Sequence, residues 1–320
     1  MSNTRVGVIG VGVLGNFHAK LYQNIDDADL VGIYDANPER AAEIAAAYGC
    51  AAFDDITTLC RTADAVSIAV PTDQHFDVAQ KALAAGSHVL VEKPITATTA
   101  EGERLVRQAK DLGLVLQVGH VERFNPVITY LEKHIQHPRF IEAHRLASFP
   151  PPRVGMLPRG TEVGVVLDLM IHDIDIILHL VRSEVVQVDT VGIPVLSKTE
   201  DIANARLQFS CGCVANLTAS RVSQEPVRKI RVFQEDGYLS LDYQERKGEM
   251  AILGPAGVTR QEVPIHDHNA LLQELVDFVA AVRSPAHRPA VTGQHGLNAL
   301  RIAEQITRQI AEAGVCRLSR

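Results

Sequence analysis

Residues Arg5 to Ile9 form a short β-branched run that passes directly into Gly10-Val11-Gly12-Val13-Leu14-Gly15 and then into a helical stretch, Asn16 to Gln23. Glycines at this spacing between a strand and a helix leave few alternatives. The first permits a tight turn, the second lets backbone approach a pyrophosphate, and the third lets helix and strand pack closely, with phosphates at the helix N-terminus. A second strand, Leu30 to Tyr34, closes on Asp35, twenty residues after Gly15. A carboxylate there accepts hydrogen bonds from a ribose 2′-hydroxyl and repels a 2′-phosphate, so NAD is expected over NADP, with Arg40 leaving some tolerance. Taken alone, Asp35 also reads as a helix-capping acid.

The alternation continues with a helix at Pro38 to Tyr48, a strand near Ala51 to Phe53, a strand at Ala65 to Val70 that ends in Pro71-Thr72, and a helix from His75 to Ala85. Next comes Val89-Leu90-Val91-Glu92-Lys93-Pro94, an apolar run stopped by a charged pair and a proline. Such a run suits a parallel strand covered on both faces, and the proline halts the ladder. Lys93 then sits at a strand's carboxyl end, where open α/β sheets bind ligands, although a surface lysine is the other reading of this stretch. A helix at Thr99 to Leu112 and a strand at Val115 to Val118 complete a doubly wound parallel sheet of about six strands, a Rossmann domain over residues 1–120.

After Gly119-His120 the pattern changes. A helix at Asn125 to His134 and a strand at Arg139 to Leu146 lead into Phe149-Pro150-Pro151-Pro152-Arg153, a stiff loop, since consecutive prolines suit neither helix nor sheet interior. Val165 to Leu180 reads as a helix with Asp168 and His172 four apart on one face and Asp175 three beyond. From Val185 to Val258 the segments alternate with Gly, Asp and Pro at the breaks, including strands at 203–209, 214–220, 229–234 and 238–243. Two helices, Asn269 to Val282 and Gln294 to Ala313, close the chain. Residues 121–320 are therefore expected to form an α+β domain with a large open, mostly antiparallel sheet.

Composition narrows the function. A net charge of −7 argues against a nucleic-acid binder. No apolar run is long enough for a membrane span and no leader is read at the N-terminus, so a cytoplasmic location is expected. The five cysteines are scattered, without metal-ribbon spacing. Asp168 and His172 are spaced as a metal pair would be, but no third ligand is evident, and no metal is expected. Between Arg123 and Arg159 stand five arginines and Lys133 against only Glu132 and Glu142. A basic segment in an acidic chain suggests an anionic substrate, because arginine forks bind phosphate bidentately.

Four motifs together resemble the glucose-fructose oxidoreductase, inositol dehydrogenase and rhizopine-catabolism (Gfo/Idh/MocA) oxidoreductases across essentially the whole chain. They are Gly10 to Gly15, Pro71-Thr72 with His75, Glu92-Lys93-Pro94, and Asp168-Leu169-Met170-Ile171-His172-Asp173. The resemblance implies a catalytic set of Lys93, Asp168 and His172. It implies a cofactor site at Gly10, Gly12, Val13, Leu14, Gly15, Asp35, Arg40, Val70, Pro71, Thr72, His75, Glu92 and Lys93. It also implies homodimers or homotetramers joined through the open sheet. Val118 to Pro126 together with the Arg153 to Gly164 loop is similar to the nucleotide-sugar branch, in particular to UDP-N-acetylglucosamine 3-dehydrogenases. That likeness implies oxidation of a sugar 3-hydroxyl to a 3-keto group, which a partner aminotransferase can consume, with His120, Arg123, Asn125, Arg153 and Arg159 on the substrate. One departure is Val163-Gly164, where the family often carries paired glycines. The alternatives are a dehydrogenase of a free polyol or sugar such as inositol, and a non-catalytic binder of NAD and sugar.

Overall fold

A computed structural model describes residues 2–151, 163–265 and 268–318. The chain divides into two compact units, Met1–Phe124 with Asn269–Asn298, and Asn125–His268 with Ala299–Arg320.

The first unit is built from β1 (Thr4–Ile9), α1 (Val13–Tyr22), β2 (Ala28–Tyr34), α2 (Pro38–Tyr48), β3 (Ala51–Ala52), α3 (Ile56–Thr62), β4 (Ala65–Ile68), α4 (His75–Ala84), β5 (His88–Glu92), α5 (Thr99–Leu112) and β6 (Leu116–Gly119). All six strands are parallel, in the order β3-β2-β1-β4-β5-β6. The order reverses between β1 and β4, so the crevice for a ligand opens at the carboxyl ends of those strands. The helices start where their sequences say they should. Asn37 caps α2 by accepting from the N–H groups of Glu39 and Arg40, with Pro38 in the first turn, and Thr98 and Glu101 form a reciprocal capping box at α5. Helix α3 is absent from the sequence-based expectation. Its seven residues, ITTLCRT, are poor helix formers, and the legible signal was Asp55, whose carboxylate accepts from the Thr58 N–H at 2.7 Å.

The second unit contains α6 (Pro126–His134), β7 (Phe140–Leu146), a π-helical turn at Val166–Met170, α7 (Ile171–Val181), and then β8 (Val185–Ile193), β9 (Ile202–Phe209), β10 (Val214–Ser220), β11 (Val227–Gln234), β12 (Gly237–Asp242), β13 (Lys247–Gly254) and β14 (Gly257–Glu262). These eight strands form one sheet, β14-β13-β12-β11-β7-β10-β9-β8, antiparallel except where β10 runs parallel to β7. Alternation along β9 buries Ala203, Ala205, Leu207 and Phe209, as period-two patterning requires of a sheet covered on one face. The cover comes from α6 (Ile128, Leu131), α7 (Ile174, Ile177) and the last helix (Ala303, Ile306).

Two helices close the chain, α8 (Ala270–Arg283) and α9 (Gly293–Leu318). Helix α8 belongs to the first unit: Leu275, Phe278 and Val279 share a core with Val6 and Val8 of β1 and with Ala19 and Tyr22 of α1. Helix α9 begins in the first unit and continues in the second from Ala299. Among the described residues, no helix is long and apolar enough to cross a membrane.

Candidate active site

In the first unit, the expected cofactor residues collect at the strand ends. Gly10 has φ +83°, and a Cβ there would stand 2.8 Å from Val70 Cγ1 and 2.9 Å from the Ala69 carbonyl oxygen, so both backbone conformation and the approach of β4 require glycine. A Cβ on Gly15 would collide with the Gly10 carbonyl oxygen. A Cβ on Gly12 would meet nothing within 4 Å. Helix α1 has neither a side-chain cap nor an acidic residue in its first turn, so the space at Gly12 is faced by N–H groups with no side-chain partner. Open space beside such donors fits a phosphate. Val13 is exposed and Leu14 half-buried at the same helix start.

Asp35 and Arg40 clamp this loop. The Val11 N–H donates to Asp35 Oδ2 at 2.7 Å, and the Asn37 N–H donates to Asp35 Oδ1 at 2.9 Å. Arg40 Nε donates to the Val11 carbonyl at 3.1 Å, while its Nη1 reaches Glu43 at 2.8 Å. Both polar groups of the Val11 residue are thereby fixed by these two side chains.

The turn after β4 is tied to the end of β5. His75 is buried, with Nδ1 2.7 Å from the Pro94 carbonyl oxygen and Nε2 3.0 Å from that of Val70. Burial pushes its pKa down, against the two carbonyls, which favour the protonated ring. His75 thus lies inside the fold and joins the Val70-Pro71-Thr72 turn to Lys93-Pro94, which share a cis peptide. Lys93 is half-buried, whereas Glu92 is buried and its carboxylate turns inward. Glu92 Oε1 stands 3.2 Å from His18 Nε2, and the Lys93 N–H approaches Glu92 Oε2 at 3.3 Å. A Cβ on Gly119 would lie 2.7 Å from Glu92 Oε1, so the glycine leaves the carboxylate its present place at the end of β6.

In the second unit, Asp168 sits within the π-helical turn and His172 in the first turn of α7. Both are half-buried, whereas their neighbours Asp173 and Asp175 are buried at 2% and 3% exposure. The expectation of one uniform helix from Val165 needs this correction. A π turn shifts the phase of side chains along a helix and is frequent at functional sites. Asp173 is spent on Arg145, which donates from Nε and Nη2 at 3.0 and 2.9 Å. The approach to Asp168 is fixed from behind: Arg221 Nη1 donates to the Val163 carbonyl at 2.8 Å and Val165 N–H donates to Glu200 O at 2.9 Å. A Cβ on Gly164 would collide with the Glu200 carboxylate as that side chain now stands.

Each described arginine of the basic segment has a partner within its own unit. Arg145 is neutralised by Asp173, Arg139 lies 3.9 Å from Glu235, and Arg123 is buried in the first unit with Nη2 donating to the Ala290 carbonyl at 3.3 Å. His120 is buried at 1% exposure, and Asn125 caps α6 by accepting from the Val127 N–H at 3.0 Å. Arg153 and Arg159, the other two expected substrate residues, lie outside the described residues.

Two residues that the sequence reading passed over are His18 and Glu274. With Glu92 they form, among the described residues, a buried group whose ligand-type atoms all lie within 4.8 Å of one another. His18 falls three residues after Gly15 on the buried side of α1, which was a readable signal; Glu274 is distant in sequence and had none.

The chain matches two family models. Residues 4–120 match one described as an oxidoreductase family with an NAD-binding Rossmann fold, and residues 132–240 match the GFO/IDH/MocA C-terminal domain. It is 41% identical over 314 residues to a UDP-N-acetylglucosamine 3-dehydrogenase of Acidithiobacillus ferrooxidans, covering 96% of this chain and 97% of that one. A solved structure of that enzyme superposes with a TM-score of 0.89 over 96% and 97% of the two chains. An inositol 2-dehydrogenase of Rhizobium meliloti is 31% identical over 96% of this chain and 97% of its own.

Proposed function

Because this chain belongs to the Gfo/Idh/MocA oxidoreductase family, we propose that it is an NAD-dependent dehydrogenase that oxidises the 3-hydroxyl of UDP-N-acetylglucosamine to the 3-keto sugar. The observation that carries this reading is the near-full-length likeness to the Acidithiobacillus enzyme, which extends through both units and includes the segments bearing Lys93, Asp168 and His172.

Gly10, Gly12, Val13, Leu14 and Gly15 would hold the cofactor's phosphates, Asp35 its adenosine ribose, and Val70, Pro71, Thr72 and Lys93 the part beyond. Bound NAD supplies the hydride acceptor. Asp35 favours NAD over NADP because a carboxylate already fixed by the Val11 and Asn37 N–H groups presents negative charge where a 2′-phosphate would lie. His75 and Glu92 act from behind, holding the turns on either side of Lys93.

Lys93 donates a hydrogen bond to the reacting hydroxyl oxygen and stabilises the charge that develops on it. His172 takes the hydroxyl proton, a task suited to an imidazole near neutral pH. Asp168 orients the sugar or the lysine. His120, Arg123 and Asn125 shape the substrate wall, and Arg153 and Arg159 bind the diphosphate as guanidinium forks. The open face of the eight-stranded sheet joins copies of the chain into a homodimer or homotetramer, and an aminotransferase consumes the keto product.

Mixing protein and NAD with UDP-N-acetylglucosamine, inositol or free glucose and following NADH absorbance tests the reading. Turnover of the nucleotide sugar is expected. Turnover of inositol alone would replace it with the second reading, which the full-length likeness to an inositol 2-dehydrogenase supports.

A further inference from the structure

The first unit contains a buried cluster of ionisable groups, His18, Glu92 and Glu274, of which only Glu92 has an assigned task. Glu274 on α8 is fully buried, and neither of its carboxylate oxygens has a hydrogen-bond partner. His18 on α1 is equally buried, and both ring nitrogens lack hydrogen-bond geometry even though Nε2 lies 3.2 Å from Glu92 Oε1. Gln117 on β6 donates from Nε2 to the Glu274 backbone carbonyl at 3.1 Å and leaves its own Oε1 unmatched. Orphaned polar atoms at this density in a core are rare, because each would cost its full desolvation. Two ionised carboxylates within 4.8 Å in such a place would repel each other with little screening.

A proton is the smallest cation that removes this conflict, and it needs neither a cavity nor an entry route. We propose that Glu274 stands as the neutral acid behind Lys93, its proton shared within the buried cluster it forms with His18 and Glu92, making Glu274 a positioning residue for the lysine. The link runs through Glu92, whose carboxylate lies between His18 Nε2 and the Lys93 N–H and is confined on its other side by Gly119. The groups facing Glu274 are Glu92 from β5, His18 and Tyr22 from α1, the uncharged Gln117 from β6, and Asp277 along α8 itself. Of these, burial first and then Glu92 and Asp277 act to raise the Glu274 pKa. The assignment of Lys93 as a positioned group rests on the dehydrogenase reading; the proton state of the cluster does not.

The sign of the pH dependence follows. An acid whose pKa is raised by folding contributes full stability below its unfolded value, near 4.3, and loses it as pH rises through the folded value. E274Q keeps the shape and removes the titration. Its melting temperature relative to wild type should therefore climb steadily from pH 5 to pH 9. Infrared spectra of the wild-type protein at pH 7 should show the carbonyl band of a protonated buried carboxyl, missing in E274Q. In NADH-forming assays, the alkaline decline in kcat should move to higher pH in E274Q with KM held. Lack of that infrared band in the wild type, a melting difference that is flat with pH, or a stoichiometric divalent metal in the purified protein would each overturn the proposal. If the wild type turns over no nucleotide sugar while the band is present, the substrate reading has failed and the shared proton stands.

Discussion

The two units bury charge in opposite ways. In the second, Arg221 and Asp201 are almost wholly enclosed, and their bonds are numerous and short. Arg221 Nε donates to Asp201 at 2.7 Å, its Nη2 to Ser197 and Thr199 at 2.9 and 2.8 Å, and the N–H groups of Val195, Leu196 and Ser197 reach the same aspartate at 2.7, 2.6 and 2.9 Å. In the first, His18, Glu92 and Glu274 are enclosed too, yet His18 and Glu274 leave atoms without hydrogen-bond partners. A rigid guanidinium fork that meets all its acceptors makes a scaffold. A set of single-point acids and an imidazole left short of bonds makes a place where protons can reside, and it adjoins the candidate catalytic lysine. Of these two clusters, the incompletely satisfied one lies beside the candidate catalytic lysine, and the completely bonded one holds the segment that leads to Asp168.

The sharpest way to break that contrast is to remove the groups assigned to chemistry. Lys93→Met and His172→Ala are each expected to lower kcat/KM about 10²- to 10⁴-fold, the range for losing a charge-stabilising donor or a general base. Both residues are half-buried, so thermal midpoints should hold within a degree or two of wild type. Near-normal NADH formation by either variant removes that residue from the reaction.

The scaffold should behave conversely. Asp201→Ala leaves Arg221 buried and unpaired, and urea unfolding should show a loss of about 3–5 kcal/mol. Burial alone would raise the Asp201 pKa, but the Arg221 guanidinium and the Val195 and Ser197 N–H groups more than reverse this and hold it well below the usual carboxylate range. Its contribution is therefore complete above about pH 4 and lost as pH falls through the depressed folded value. Stability measured from pH 6 to pH 2 should decline less in Asp201→Asn than in wild type. The glycines of the first loop repeat the contrast on a smaller scale. Gly15→Ala forces a collision with the Gly10 carbonyl and should lower the melting temperature, whereas Gly12→Ala enters open space and should weaken NAD binding with little change in melting.

Much of this was legible before any coordinates. The glycine spacing, Asp35 and the charged end of β5 marked the first Rossmann turn and the carboxyl end of β5 because each depends on local order along the chain, and strand alternation gave the character of the second sheet. The return of α8 to the first unit was not legible, since its apolar stripe fits any sheet that needs a cover. Nor was Glu274, whose significance lies wholly in what α1 and β5 bring to it. The run of arginines was legible only as a count, because sequence does not record which charges, like Arg145, strand alternation turns inward to a partner.

Asp35 lies between the two classes and offers the finest test. It is half-buried, accepts two backbone N–H groups as a scaffold residue would, and is assigned to the ribose as a functional residue would be. Asp35→Asn separates the tasks, because the amide oxygen can still accept from the Val11 N–H while the negative charge is gone. If the charge excludes a 2′-phosphate, the ratio of kcat/KM for NAD to that for NADP should fall about tenfold, equivalent to about 1.4 kcal/mol. Stability should drop by about 1 kcal/mol for the weakened bonds to the loop. If the ratio stays fixed while stability falls, Asp35 serves only to clamp Val11, and cofactor choice must then lie with Arg40, whose Nε holds the other end of the same residue.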